Sequence, residues 1–232
     1  MTADEVVKKL ASLGSSKNVE GMSRFGITTK TSFGVPTPIL KQFAREVRKQ
    51  TDDRHALAKE LWATGIYDAR AVAFLIDDPE KVTKKQMDAW VKDFDNWATV
   101  DGTCGYLFCR TPFAYQKAFE WAEKEPEFVK RAGFSLMAYL AVHDKKAKDV
   151  DIAMFLPVIE KHSDDDRNFV KKAVNWALRQ IGKRSLVLNK LAVDAAERIN
   201  GQDSRVARWI ASDALRELRN EKVLERLKRK TK

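Results

Sequence analysis

The sequence predicts an all-α protein in which paired helices stack into a curved α-solenoid. Three observations predict this fold: apolar residues recur at helical spacing, turn residues separate the helical segments, and one segment pattern recurs along the chain. No sustained alternation of apolar and polar residues is present, which argues against strands. The chain has 232 residues, enough for one continuous core, so we expect a single domain over residues 1–232.

Proline marks where several of the predicted helices begin and end. Thr37-Pro38 and Thr111-Pro112 each match an N-cap residue followed by Pro at the first helical position. Asp78-Pro79 and Glu125-Pro126 predict turns. Between these points the apolar residues keep the spacing of one helical face, which predicts helix after helix.

Five segments share a pattern of basic or polar residues, a small residue and then an apolar run. They recur after about 30 to 40 residues, which is the period of two-helix solenoid repeats. One helix pair cannot bury its apolar face alone, so the pairs must stack on their neighbours and create a concave face. The segments begin at Asp68, Thr99, Val129, Val170 and Val206.

The charge balance favours a polyanionic partner. The chain has 43 Lys and Arg against 33 Asp and Glu, a formal net charge of +10. Nucleic acid is the favoured partner over an anionic membrane, and a basic concave face would suit a duplex backbone. A solenoid that binds a protein partner stays open, because composition does not exclude it. The basic run 224–232 is expected to be a frayed, solvated helix end.

Other features narrow the class of protein. Cys104 and Cys109 predict free thiols in a reducing compartment. The N-terminus lacks a signal-peptide core and no apolar run is long enough to span a bilayer, so we expect a cytoplasmic protein, nucleoid-associated if prokaryotic. No metal-binding constellation or Gly-rich nucleotide loop is evident, so we expect no metal and no cofactor. We expect a monomer that does not bind membranes.

Trp97 and Asp101 form the first candidate site. They lie four residues apart, so on a helix they share one face. A carboxylate beside an indole suits the stabilisation of positive charge. Two alternatives stay open from spacing alone: Asp101-Gly102 as a plain turn, and Trp97 as a core residue.

A second candidate surface lies on the segment 167–184. Lys172, Trp176, Arg179 and Lys183 follow one another at steps of three and four residues, on one helical face. Basic residues around one large aromatic suit a phosphate-and-sugar surface, although a Trp that fills the gap between repeats fits the same pattern. Arg131 begins another apolar helix and alone is also typical of a salt-bridged side chain.

Four motifs, in their order and spacing, resemble the AlkD-type family of HEAT-like-repeat DNA glycosylases, which remove alkylated bases. The resemblance extends from about Met22 to Leu218. The motifs are Met22-Ser-Arg24-Phe25 with Phe33-Gly-Val-Pro-Thr37-Pro, Trp97-Ala-Thr-Val-Asp101, Lys130-Arg131-Ala, and Val170-Lys-Lys-Ala-Val-Asn-Trp176-Ala-Leu-Arg179.

The resemblance implies roles for individual residues. Asp101 matches the catalytic carboxylate, and Trp97, Trp176 and Arg131 match the residues around it. Gly34 and Thr37 match a loop that holds the DNA backbone, with Thr37 at a helix N-terminus, where free N–H groups favour a phosphate. The other expected DNA-contacting residues are Arg24, Phe25, Lys130, Lys172, Arg179 and Lys183.

The implied activity is that of a monofunctional glycosylase acting on cationic purines in duplex DNA, such as N7-methylguanine and N3-methyladenine, without base flipping. The sequence departs from the family pattern at Asn96, Ala98 and Phe25, and Phe25 lacks the hydroxyl of the Tyr often found there. Some relatives bind DNA without excising bases. A non-catalytic protein that binds DNA or branched DNA is therefore the main alternative.

Overall fold

The computed structural model describes residues 1–27 and 31–230. Within these residues all regular secondary structure is helical and no strand occurs, which confirms the all-α prediction. The chain forms two compact units, Met1–Phe113 and Ala114–Lys232. The single domain expected over residues 1–232 stays a prediction. No helix in the described part of the chain is long and apolar enough to cross a membrane.

The first unit contains seven α-helices within the described residues, followed or interrupted by two short 3₁₀ turns. Side-chain caps begin several of them; the hydroxyl of Thr2, for example, accepts a hydrogen bond from the Glu5 amide while the Glu5 carboxylate accepts one from the Thr2 amide. The helices are α1 (Ala3–Leu13), α2 (Ser16–Ser23), α3 (Thr37–Lys49), α4 (Arg54–Ala63), α5 (Tyr67–Ile76), α6 (Lys84–Trp90) and α7 (Trp97–Tyr106), and the 3₁₀ turns are Val91–Asp93 and Phe108–Arg110.

The second unit contains eight α-helices within the described residues. Ser185 and Ser204 cap α13 and α14 by accepting hydrogen bonds from the amides three residues later. The helices are α8 (Ala114–Ala122), α9 (Glu127–His143), α10 (Asp149–Ala153), α11 (Leu156–Lys161), α12 (Asn168–Gly182), α13 (Leu186–Asn200), α14 (Arg205–Leu218) and α15 (Glu221–Lys230).

The five recurring segments fall on one helix of each repeat: α5, α7, α9, α12 and α14. In the first unit α5 packs on α7 and on its partner α4. In the second unit α9 packs on α12 and α12 on α14, while α8 and α13 pair with α9 and α14. This order is that of stacked two-helix repeats, so the repeat prediction is confirmed. The basic concave face stays a prediction.

Two predicted helix starts are wrong, by one and by two residues. Helix α3 begins at Thr37 itself, and the extended Pro36 is its N-cap, with no side-chain cap. Helix α8 begins at Ala114 rather than directly after Thr111. The physical reason at Thr111 is that its hydroxyl donates backwards to the Phe108 carbonyl, at 2.9 Å, and so closes the preceding 3₁₀ turn instead of capping the next helix.

The basic C-terminal run is a packed helix rather than a frayed end. Residues 224–230 belong to α15, which packs on α13 and α14. Leu227 is fully buried and anchors the helix, while Arg226, Lys228 and Arg229 are exposed as expected. Residues 231 and 232 lie outside the described residues.

The two cysteines are free thiols, as predicted. Cys104 is buried in α7, and Cys109 is half-buried in the 3₁₀ turn that follows. Burial raises the pKa of the Cys109 thiol to about 11. A thiol with so high a pKa is protonated at neutral pH and is a poor nucleophile.

Candidate active site and nucleic-acid interface

The first turn of α7 carries the Trp97–Asp101 pair, and Asn96 fixes where that turn begins. The Asn96 side chain is fully buried and its amide oxygen accepts a hydrogen bond from the Thr99 amide at 2.9 Å. Its amide nitrogen donates to the Thr99 hydroxyl at 3.0 Å. Asn96, which departs from the family pattern, therefore acts as the N-cap of this helix.

Trp97 and Asp101 share one face of α7, which excludes the alternative that Asp101-Gly102 is a turn. Both residues are half-buried. The Trp97 indole Nε1 donates a hydrogen bond of 2.8 Å to the carbonyl of Phe25. This bond joins α7 to the segment after α2, so Trp97 is not simply a core residue.

Gly102 lets α7 approach α5 closely. A Cβ atom at this position would lie 2.5 Å from the Phe74 ring, which is closer than real side chains come. The glycine next to Asp101 therefore serves helix packing rather than a turn. It keeps α7, and with it the Trp97–Asp101 face, seated on α5.

The loop before α3 is held by a fully buried carboxylate from α5. Asp68 accepts hydrogen bonds from the amides of Phe33 at 2.6 Å and Val35 at 2.9 Å, and from the Ser32 hydroxyl at 3.0 Å. Gly34 lies between them at φ +72°, where a Cβ would be 2.5 Å from the Ser15 carbonyl oxygen. The structure thus holds Gly34 in a conformation that only glycine adopts without strain.

The N-terminal residues predicted to contact DNA are accessible, apart from Gly34. Thr37 is exposed at the first position of α3, and Arg24 is exposed at the end of α2. Phe25 is 72% exposed, whereas the other described Phe residues are buried or half-buried. Gly34 is buried, so it shapes the loop and does not itself face solvent.

In the second unit, Arg131 is buried in α9 and is 6% exposed. Its Nη1 donates a hydrogen bond of 2.7 Å to the carbonyl of Phe169, at the start of α12. The ring of Phe169 also packs on Phe128, with centroids 5.4 Å apart. Arg131 therefore ties the first turn of α9 to that of α12, in addition to any contact with DNA.

Lys130 lies in a buried ion-pair cluster. It is 6% exposed, and its Nζ lies 3.5 Å from the Asp165 carboxylate, which also binds Arg167. Burial acts to raise the pKa of Asp165, but hydrogen bonding and charge attraction from Arg167 outweigh it and hold that pKa below its usual range. This position favours a structural role for Lys130, and its contact with DNA stays a prediction.

Trp176 lies beside an aromatic partner that the sequence reasoning did not select. Its ring meets that of Tyr139 edge-on, with centroids 5.0 Å apart, and Tyr139 also stacks with His143 at 5.8 Å. Trp176 is half-buried. In the sequence, Tyr139 follows the spacing of the apolar face of its helix, and nothing local pairs it with Trp176, 37 residues later.

The basic face predicted on α12 exists, but α14 neutralises part of it. Arg179 Nη1 and Lys183 Nζ lie 2.9 and 2.8 Å from the carboxylate of Glu217. Lys172 is exposed and has no ion pair with another described residue. Of the three cations on this face, Lys172 is thus the one most available to a phosphate.

Asp68 is the second residue that sequence reasoning missed. In the sequence it is only the polar start of a recurring segment, and in the structure it lies in the first turn of α5. Its loop partners lie more than thirty residues earlier in the chain. A single sequence gives no sign of such a contact.

Comparisons with known proteins agree with this architecture. The family model described as "DNA alkylation repair enzyme" matches residues 6–218. A solved structure from a new family of proteins related to the HEAT-like repeat DNA glycosylases, with affinity for branched DNA structures, has a TM-score of 0.75 and 22% identity. That match covers 94% of this chain and 96% of the other. The chain has no significant match among curated proteins.

Proposed function

Because the chain belongs to the DNA alkylation repair enzyme family, we propose that it hydrolyses the N-glycosidic bond of cationic alkylated purines in duplex DNA. The substrates would be of the N7-methylguanine and N3-methyladenine type, and the enzyme would be a monofunctional glycosylase that does not flip the base. The observation that carries this proposal is the Trp97–Asp101 face at the start of α7, where a capped helix and a hydrogen bond to Phe25 fix an indole beside a carboxylate.

The chemistry of a cationic base explains why this pair suffices. An alkylated purine that already carries positive charge leaves as a neutral base, so no general acid is needed. As the bond breaks, positive charge moves onto the deoxyribose. A fixed carboxylate stabilises that charge electrostatically, and most strongly where water is scarce. We assign this role to Asp101, which would also orient the attacking water.

The aromatic residues complete the proposed environment. The electron-rich faces of Trp97 and Trp176 favour a cationic sugar. Tyr139 supports Trp176 through its edge-on contact, which limits the orientations of the indole. Arg131, which matches the family's phosphate-holding arginine, is proposed to hold a phosphate next to the damaged nucleotide. Selectivity would arise from the lability of the cationic base rather than from reading its edges.

The proposal is tested with Asp101→Asn on a duplex that contains one N7-methylguanine. With enzyme in excess, the rate of abasic-site formation is expected to fall by about 10²–10³-fold, because the substitution removes the electrostatic stabilisation of the transition state. The affinity for undamaged duplex is expected to stay within a factor of two to three of wild type, since a lost carboxylate removes no phosphate contact.

The matched control is Asp52→Asn, which neutralises an exposed aspartate of the same unit. Its excision rate should equal that of the wild type. If Asp101→Asn excises at the wild-type rate, Asp101 has no part in the mechanism. If the wild type excises neither N7-methylguanine nor N3-methyladenine, the proposed activity is wrong.

A second function is favoured by one observation: the solved structure with the same fold comes from proteins with affinity for branched DNA. On this alternative the chain binds four-way junctions without chemistry. It predicts tighter binding of a junction than of a duplex of the same length, and equal binding by wild type and Asp101→Asn. Absence of excision together with such a preference would select this second function.

A further inference from the structure

A cavity of about 430 Å³ lies in the second unit, at the C-terminal ends of α9 and α12. Four cationic side chains from three segments of the unit line it: Lys145, the adjacent Lys183 and Arg184, and Arg226. The lining contains one carboxylate, that of Asp149. Lys183 is paired with the Glu217 carboxylate of α14, at 2.8 Å, so the positive charge available in the cavity comes from Lys145, Arg184 and Arg226.

Arg184 is the fixed element of the cavity. Its guanidinium donates hydrogen bonds to the backbone carbonyls of Ala141 at 2.9 Å, Asp144 at 2.7 Å and Ala147 at 2.7 Å. Its Nε lies 3.5 Å from the Asp149 carboxylate, and the side chain is 12% exposed. Three of its bonds go to uncharged carbonyl groups, so the positive charge is oriented but only partly neutralised.

The beginning of α13 contributes to the same wall. Ser185 lines the cavity, caps α13 by accepting from the Leu188 amide, and donates its own hydroxyl proton to Asp149. The Asp149 carboxylate is thereby shared between Ser185 and Arg184. The N-terminus of α13 therefore lies at this wall, and its partial positive charge is opposed by the C-terminal ends of α9 and α12, so the side chains decide the sign of the site.

The two outer cations are available to a ligand. Lys145 and Arg226 are exposed, and neither forms an ion pair with any residue that the structure describes. Lys145 donates only to the carbonyl of Val142, which leaves two of its three N–H donors. The cavity thus combines an inner cation held by hydrogen bonds with two exposed outer ones, an arrangement that fits an anion reaching in from the surface.

We propose that this cavity binds a phosphate group of the DNA backbone. The distance between the cavity and the lesion rests on the proposed function, which places the damaged nucleotide at Trp176. Lys183 lies seven residues beyond Trp176 on α12, about 10 Å along the axis at 1.5 Å per residue. Successive phosphates of one strand advance by about 3.4 Å along the duplex. For a strand that runs along the axis of α12, a sugar at Trp176 would place a phosphate about three nucleotides away at the cavity.

One cation of the cavity lies beyond the part of the chain that the family model matches. The family match ends at residue 218, whereas Arg226 lies on α15, after that limit. Helix α15 is held in place by the buried Leu227. The chain therefore adds a cation to the wall through an element outside the family match.

The test is a charge reversal, Lys145→Glu with Arg226→Glu, measured on undamaged duplex over a series of salt concentrations. Both side chains are exposed, so the fold should be retained. The affinity is expected to fall by about 10-fold or more, and the slope of log K against log salt is expected to decrease by about 0.9, the value for one phosphate. The matched control is Lys146→Glu with Lys228→Glu, which changes the net charge equally at exposed residues that do not line the cavity.

The outcomes separate the possibilities. A larger loss of affinity and slope in the cavity variant than in the control supports the proposal. Equal losses would show a general charge effect and overturn it. A third outcome is that the wild type binds inorganic phosphate, the cavity variant does not, and the two bind duplex equally well. This outcome would assign the site to a free phosphate and would also overturn the proposal. Excision is measured separately, so an inactive wild type would refute the proposed function without affecting this comparison.

The position along the strand is tested with neutral methylphosphonate linkages. They are placed singly at two, three or four nucleotides on either side of the lesion, and Asp101→Asn is used so that the substrate stays intact. A neutral linkage at the position that occupies the cavity should weaken the binding of Asp101→Asn about 10-fold. The same linkage should have little effect on Asp101→Asn that also carries the two cavity charge reversals. The same loss in both proteins at every linkage would contradict the proposal.

Discussion

At the scale of single residues, the candidate site depends on side chains that are held by specific hydrogen bonds. Asn96 sets the first turn of α7, and Trp97 is tied to the backbone of Phe25. An indole and a carboxylate one turn apart can stabilise a cationic sugar only if their directions are fixed before the substrate binds. The cap and the indole bond supply that fixation.

Trp97→Phe tests the indole bond, because it keeps an aromatic ring but removes the N–H donor. The free energy of unfolding is expected to fall by about 0.5–1.5 kcal/mol, the net contribution of one hydrogen bond. Urea denaturation measures this value. Trp209→Phe is the control: this Trp of α14 is 45% exposed, and its indole makes no hydrogen bond with another described residue, so its effect should stay within about 0.5 kcal/mol. Equal losses in both variants would refute a role for the Nε1–Phe25 bond.

At the scale of elements, α5 organises the start of α3 through one carboxylate. Asp68 accepts three hydrogen bonds from the loop between α2 and α3, and it is fully buried. Replacing a buried acceptor that binds three donors is costly. Each donor that loses its partner stays out of contact with water and has no hydrogen bond to offset that desolvation. The loop that carries Gly34 therefore has a defined shape before any ligand binds.

Asp68→Asn is expected to lower the free energy of unfolding by about 1–3 kcal/mol, because an amide NH₂ cannot accept a hydrogen bond from a backbone amide. Hydrogen exchange of the Phe33 and Val35 amides should become faster, which locates the effect in the loop. Ser32→Ala is the matched variant, since it removes one hydroxyl donor and leaves both backbone bonds; about 0.5–1.5 kcal/mol is expected. Unchanged exchange at both amides in Asp68→Asn would show that the carboxylate does not hold the loop.

At the scale of the whole molecule, the net charge of +10 overstates the charge that is available to DNA. Lys130, Arg179 and Lys183 each lie beside a carboxylate within the second unit. Lys172 and Arg24 are exposed and have no ion pair with another described residue. Affinity for a polyanion depends on the cations that can replace counterions at phosphates, not on the total count.

Lys172→Ala and Lys130→Ala should therefore separate binding from stability. Lys172→Ala is expected to reduce the salt slope of duplex binding by about 0.9, as one lost phosphate contact would. Lys130→Ala is expected to leave that slope unchanged and to lower the free energy of unfolding by about 1–3 kcal/mol, since it opens a buried ion-pair cluster. Filter binding over a salt series and urea denaturation give the two quantities. A lower slope in Lys130→Ala would show that Lys130 reaches DNA after all.

Several features of this protein could be predicted from the sequence because they depend on short-range order. Helical spacing of apolar residues predicted the all-α fold, and the recurring segment predicted stacked helix pairs on α5, α7, α9, α12 and α14. The four-residue step predicted that Trp97 and Asp101 share a face. The error at Thr111 also has a local cause, because its hydroxyl bonds to the preceding turn instead of capping the next helix.

Tertiary structure alone decided which charged and aromatic residues are accessible. Lys130 and Lys172 look alike in sequence, yet one is buried against Asp165 and the other is exposed. Asp68 holds a loop more than thirty residues away, and Arg226 joins Arg184 in one cavity. The physical reason is the same in each case: an ion pair or a cavity forms between residues that are distant in the chain, and helical periodicity specifies the face of a residue but not the partner that packs against it.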